Sequence, residues 1–209
     1  MPRLRRVPPG RSGRLWLQHR LAVAGRGAAL LDQKLRILRA EVRRATLAAE
    51  DTAQAWAAAA EEAERWLVRA SLLGGERAAR LASDGAEAHV EVAWASTMGV
   101  RHPRGATCVL PPAADLPVSG AALVQAREAH LRAVDAAVQH AVAAAAVRLL
   151  RAEEVATRRR LRAIEERWLP LLESTLRATE LGLEEQEHAN GVRLRWARSV
   201  AEQPLTGDR

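Results

Sequence analysis

The chain has 209 residues, 48% apolar and 27% charged, with a formal net charge of +7 and only 3% aromatic residues: six Trp, no Phe and no Tyr. Compact cores draw heavily on large aromatic rings, whereas Ala, Leu and Val suit helices that pack along their length, so the composition weighs against a thick globular core and against an all-β domain. The apolar share also weighs against intrinsic disorder.

The base is almost all Arg, Lys34 being the single lysine. One cysteine, Cys108, excludes an intramolecular disulfide and any multi-cysteine metal site. No apolar run of signal-peptide type follows the basic N-terminus. The most apolar stretch, 136–147, is interrupted by Gln139 and His140 and falls short of a membrane span; the chain is expected to be soluble. Residues 1–47 carry twelve basic and two acidic side chains, so the positive charge is concentrated at the start. Such a segment suits either a polyanion or acidic protein partner, or a solvated face.

Residues 1–13, rich in Pro, Gly and Arg, read as a flexible basic arm, with Ser12 or Gly13 opening a helix. Residues 14–73 contain no proline and carry an apolar stripe spaced alternately four and three: Leu17, Leu21, Ala24, Ala28, Leu31, Leu35, Leu38, Val42, Ala45, Ala49, Thr52, Trp56, Ala59, Ala63, Trp66, Ala70 and Leu73. Thr52 alone is not apolar. A seam of this kind is the mark of a coiled coil, and a helix of this length, about 90 Å, needs a partner helix to cover it.

Gly74 and Gly75 are expected to end that helix, with a short helical turn over 76–83. Residues 74–118 form a linker and a small insert. Residues 89–94 alternate loosely and 107–110 form a second strand candidate; Met98-Gly99 and Pro103-Arg104-Gly105 supply turn chemistry. The insert therefore reads as a β-hairpin or ordered loop. A second long helix is expected over 119–200, before a frayed tail at 201–209. Its leucines at 150, 161, 172, 183 and 194 recur every eleven residues, near the natural helical period. A local heptad track through Leu161, Ile164, Trp168, Leu171, Thr175 and Ala178 fits as well, so the hand of the supercoil stays open. Pro170 is expected to kink this helix. A tethered partner is present at high effective concentration, which favours an intramolecular antiparallel hairpin over an intermolecular coiled coil, with the chain ends together at one end and the insert towards the other.

The fold class is thus all-α: a long antiparallel two-helix coiled coil with a small β-hairpin or loop insert between the helices. No phosphate-binding loop is present, and Glu185 and His188 make a single Glu-x-x-His pair without the further ligands a metal centre requires. Cys108 with His102 is the one thinkable nucleophile pair, at an unfamiliar spacing. The run Arg158-Arg159-Arg160 spans most of a helical turn and reads as a solvated collar or a ring of contacts. No catalytic, cofactor or metal site is expected.

Three blocks then resemble a known family. They are Arg11-Ser12-Gly13-Arg14-Leu15 with Arg20–Gly27 and Leu30–Lys34; Met98–Pro103 in the insert; and Thr157–Glu165 with Leu169-Pro170, Glu173–Thr175, Leu183–Glu187 and Arg193-Leu194. In order and spacing they resemble the D subunit of the V-type (V/A-type) rotary ATPases. Arg162, His188, Val192 and Arg195 depart from the family pattern. The resemblance implies a non-catalytic central-stalk protein without cofactors, at the cytoplasmic face of the cell membrane. It would transmit torque between a hexamer of catalytic A and regulatory B subunits and the proteolipid ring, coupling ATP hydrolysis or synthesis to proton or sodium transport. Its partners would be the A, B and stalk F subunits and the socket protein of the ring, with no nucleic acid and no insertion into the membrane. Arg20, Arg26, Gly27, Lys34, Met98, Gly99, Pro103, Arg158, Arg159, Pro170, Glu184 and Glu185 are candidate partner contacts, and Arg36, Arg39 and Arg43 are expected to face acidic loops of the hexamer. The rival readings are a basic coiled-coil nucleic-acid-binding protein and a helical adaptor.

Overall fold

The structure, a computed structural model, describes residues 7–81, 87–109 and 120–201. Residues 1–6 of the basic arm, the strand end at Leu110, the helix start at Ser119 and the tail from residue 202 lie outside the described residues. Helix α1 (Gly10–Leu81) is followed by strands β1 (His89–Thr97) and β2 (Val100–Val109), helix α2 (Ala121–Ala163), a π-helical turn (Ile164–Trp168) and helix α3 (Leu169–Ala201). The chain divides into two compact units: one takes residues 1–33 and 158–209, the other residues 34–157. They are called the terminal and the central unit below.

Helix α1 starts earlier than Ser12 because Pro8 and Pro9 run straight into Gly10, whose φ of 72° turns the chain. Ser12 is not a cap: its hydroxyl donates to the Pro9 carbonyl oxygen at 2.9 Å, whereas a capping side chain accepts from the first turn. Gly13 is buried against the Pro8 carbonyl, and a β-carbon there would collide with it, whereas Gly25 and Gly27 face open space. Gly13→Ala is therefore expected to destabilise the first turn by about 1–3 kcal/mol. Gly25→Ala and Gly27→Ala, in a helix interior, should each stabilise by about 0.5–1 kcal/mol. Urea unfolding of the three variants checks the opposite signs. At the other end Gly75 (φ 76°, ψ 155°) breaks the helical path, but helix resumes and continues to Leu81.

In the terminal unit, Arg11 reaches Glu187 at 2.7 Å and Arg14 reaches Glu180 at 3.1 Å. Partners fall in number as α1 rises, the order of antiparallel segments. Leu17, Ala28, Leu161 and Leu172 are buried there. At Pro170 the helical hydrogen bonding is irregular, α3 starting at Leu169 after a π-helical turn. The turn before it widens, so that the Leu169 N–H bonds to the Ile164 carbonyl five residues back. A π-turn of this kind absorbs the missing proline donor.

In the central unit the antiparallel order shows over a longer span: Lys34 and Arg39 meet the neighbouring Glu153 and Glu154, and Glu62, further along α1, meets Arg132. Leu38, Val42 and Leu150 form its buried cluster, with Ala45 and Val100 packed against it. Val100 comes from the hairpin, so the insert does not sit at the turn end of the two helical segments, as expected from sequence. It lies back along them. Gln139 on α2 fastens it by donating to the Ala106 carbonyl oxygen at 2.8 Å.

The strands pair antiparallel from His89↔Val109 to Thr97↔Val100. Met98 (φ 51°) and Gly99 (φ 82°) close the hairpin, as a two-residue turn with both φ positive requires. Pro103-Arg104-Gly105 is not a second turn. The register passes from Ala93↔Gly105 to Trp94↔Pro103, so Arg104 is the extra residue of a β-bulge, a position where strands tolerate proline.

One 18-residue window in the helical run 121–200 reaches a mean hydropathy of 1.3, enough by length and composition to cross a membrane. This corrects the expectation drawn from residues 136–147 alone. Part of the apolar surface there is used within the central unit: Val138, Val142 and Ala145 line a cavity of about 330 Å³ with Val90, Val92 and Trp94 of the hairpin.

Candidate functional site

The stripe read from sequence divides by side-chain size. In the terminal unit Leu17 is buried and Leu21 and Leu31 are half-buried; in the central unit Leu35, Leu38 and Val42 are buried and Trp66 is half-buried. Trp56, at 42% exposure, is not a buried seam residue. An indole is too large for a stretch otherwise closed by alanines, so it leans out and stacks on His140 (ring centroids 5.5 Å apart, planes 17° apart).

On the partner helices of the terminal unit Leu161 and Leu172 are buried, while Ile164 and Leu183 are half-buried. Trp168, at 39%, and Leu194, at 63%, are exposed. The π-turn rotates Trp168 off the stripe. Leu194 lies beyond Glu187, the partner of Arg11 near the start of α1, so no described residue of α1 is left to cover it. The eleven-residue period therefore marks the helix face correctly and overstates how far that face is covered.

The basic segment is answered from within the chain. Arg11, Arg14, Lys34 and Arg39 each pair with a glutamate of the later helices. Glu184 joins Arg11, Arg14, Glu180 and Glu187 in lining one charged groove of the terminal unit, while Glu185 is exposed. These cross-helix partners were missed in the sequence, because ion pairs between distant segments leave no local pattern. The Arg20 guanidinium lies 5.1 Å from the centre of the Trp16 ring. Arg26 is exposed and Gly27 is half-buried; Arg158 is half-buried, and Arg159 and Pro170 are exposed. Met98, 42% exposed, is presented at the hairpin tip beside Gly99, and Pro103 is buried at the bulge. The candidate contacts are thus spread over both units and do not form one pocket.

His102 is buried and spoken for. Thr97 Oγ1 stands 3.1 Å from its Nε2, and the Pro103 carbonyl oxygen 3.2 Å from its Nδ1. A carbonyl only accepts, so Nδ1–H donates to it and Nε2 accepts from the threonine hydroxyl. Cys108 is six residues along the same strand, at about 3.4 Å per residue, so the pair is not a nucleophile and its base. Among the described residues no three His, Cys, Asp or Glu side chains converge as metal ligands.

The geometry is that of paired helical segments with a strapped hairpin, in which chemistry-bearing side chains hold the fold. Comparison with known proteins bears on what such a chain serves. The family model for the D subunit of ATP synthase matches residues 15–199. The D subunit of the A-type ATP synthase of Methanopyrus kandleri is 32% identical over 207 aligned residues, which covers 94% of this chain and 87% of that relative.

Proposed function

Because this chain belongs to the family of ATP synthase D subunits, we propose that it is the non-catalytic central shaft of a V/A-type rotary ATPase. It turns inside the hexamer of catalytic A and regulatory B subunits and carries torque to and from the membrane ring. Its partners on this reading are the A, B and stalk F subunits and the ring's socket protein, and it stands at the cytoplasmic face of the membrane without entering it. Transport is of protons or sodium ions.

The observation that carries the reading is the antiparallel pairing of helical segments in each unit, tied by Arg11–Glu187 and Arg14–Glu180 in one and by Lys34–Glu153, Arg39–Glu154 and Glu62–Arg132 in the other. Two helices packed as a coiled coil resist twisting better than one, as a shaft requires. The same pairs weaken the nucleic-acid reading. A phosphate-binding surface needs free cations, and four basic side chains of the first segment are already engaged by carboxylates.

The test is copurification of the tagged chain with the A, B and F subunits, followed by ATP-driven ion uptake in reconstituted vesicles with and without it. Uptake is expected only when the chain is present. Full uptake in its absence, or retention on DNA with a steep salt dependence in place of the A and B subunits, overturns the proposal.

A further inference from the structure

Beyond the Leu38–Val42–Leu150 cluster, most of the fully buried positions of the central unit carry small side chains. The α1 stripe runs Ala45, Ala49, Thr52, Trp56, Ala59, Ala63, Trp66 and Ala70, and on α2 the buried residues in this region are Ala146, Ala129 and Ala126. Alanine faces have little relief. Contacts between alanines alone therefore specify the alignment weakly, and the larger side chains along the stripe must do so. The ion pair between Arg132 and Glu62 is exposed on both sides and adds little.

Trp66 is one such larger side chain, its ring 4.8 Å from the Arg69 guanidinium of the same helix; two further rings meet across the helices. Trp56 and His140 face each other in a parallel stack. Thr52 Oγ1 lies 3.5 Å from His140 Nδ1, and its own proton is directed to the Ala48 carbonyl oxygen at 2.9 Å. The threonine therefore presents a lone pair towards the histidine, at the outer limit of hydrogen-bond distance. The stack is the stronger of the two contacts and sets where the ring lies along the helix.

We propose that Thr52, Trp56 and His140 form a register key of the central helix pair, which acts with the Leu38–Val42–Leu150 cluster and the Lys34–Glu153 pair to fix how far α1 and α2 are shifted along one another. A one-heptad slip would set Trp56 against Ala133 or Val147, and His140 against Ala63 or Ala49. None of these offers a ring or a hydroxyl. A single polar position fixes register in other helix pairs in the same way, by penalising the alternatives more than it favours the native state. The key stands independently of the rotary reading, since it concerns the alignment of the chain with itself.

Thiol trapping in the full-length chain, with Cys108→Ala as background, tests this. A short bis-maleimide bridges Glu62→Cys to Arg132→Cys in the native register, and Glu62→Cys to Gln125→Cys after a one-heptad slip. Adding Trp56→Ala and His140→Ala is expected to raise the slipped-register yield by about 2- to 12-fold, the range that corresponds to losing one ring pair. Trp56→Phe, which keeps a ring against His140, should behave like the parent and guards against loss of folding as the cause. The exchange Trp56→His with His140→Trp should return the yield towards the parent value. A slipped yield unchanged by the two alanines overturns the proposal, and so does a rise that the exchange leaves in place.

Discussion

Leu150→Ala is expected to cost about 3–5 kcal/mol of folding stability. Leu150 is 0% exposed, and it holds together the three elements of the central unit. It meets Leu38 and Val42 of α1 directly, in a cluster on which Val100 of the hairpin packs. Removing three carbons there leaves a cavity lined by two helices and a strand, none of which can collapse into it without moving the others. Leu194→Ala is the matched control. It removes the same atoms from a helix in the same eleven-residue series, but at 63% exposure the change should stay within about 0.5 kcal/mol. Urea midpoints measured at constant m-value separate the two. Equal midpoints for both variants would mean that the cluster is not the anchor of the central unit. On the proposed shaft reading, the Leu150 variant in the assembled complex should also lose coupling before it loses ATPase activity.

That contrast between two leucines of one series shows which parts of the fold are legible in a sequence. Periodicity reports the face of a helix, because a side chain's direction follows from its position in the turn. The stripe from Leu17 to Ala70 could therefore be read residue by residue. How much of that face is covered depends on where the partner starts and stops, and Leu194 lies past that point. Side-chain size is likewise a matter for the partner. Trp56 has the right spacing for the stripe but faces alanines, so it turns out and finds His140. Thr52 was visible as the one break in the apolar pattern, and it is one of the three residues we assign to the register key. The hairpin was legible from Met98-Gly99 and from the flanking β-branched residues. Its position against the helices was not, because Val100 and Gln139 make their contacts across long stretches of chain. Pro170 was read for its missing donor and Pro103 as part of a turn. At Pro170 the backbone answered with a π-turn, and at Pro103 with a bulge.

Lys34→Glu is expected to destabilise the central unit by about 2–3 kcal/mol, the scale of a lost charge-assisted hydrogen bond with like charges left facing each other. Composition alone suggested nothing functional in the single lysine of an arginine-rich chain. Its surroundings give it a structural task. Lys34 Nζ meets Glu153 Oε1 at 2.8 Å, with the two side chains only 23% and 26% exposed. The same carboxylate oxygen accepts from the Thr157 hydroxyl at 3.3 Å, and Thr157 is fully buried. The exposed pairs made by Arg11 and Arg132 gain little because water competes for both partners; this one is partly withdrawn from water and its acceptor is already oriented. An ammonium is compact, whereas a guanidinium is a planar fork that requires a wider opening, so Lys34→Arg should recover only part of the stability. The exchanged pair, Lys34→Glu with Glu153→Lys, restores opposite charges at the same two positions and should recover more than half of the loss. A double-mutant cycle on urea unfolding measures this directly. If the exchanged chain is no more stable than the two single changes added together, the pair is not an interaction on which the central unit relies.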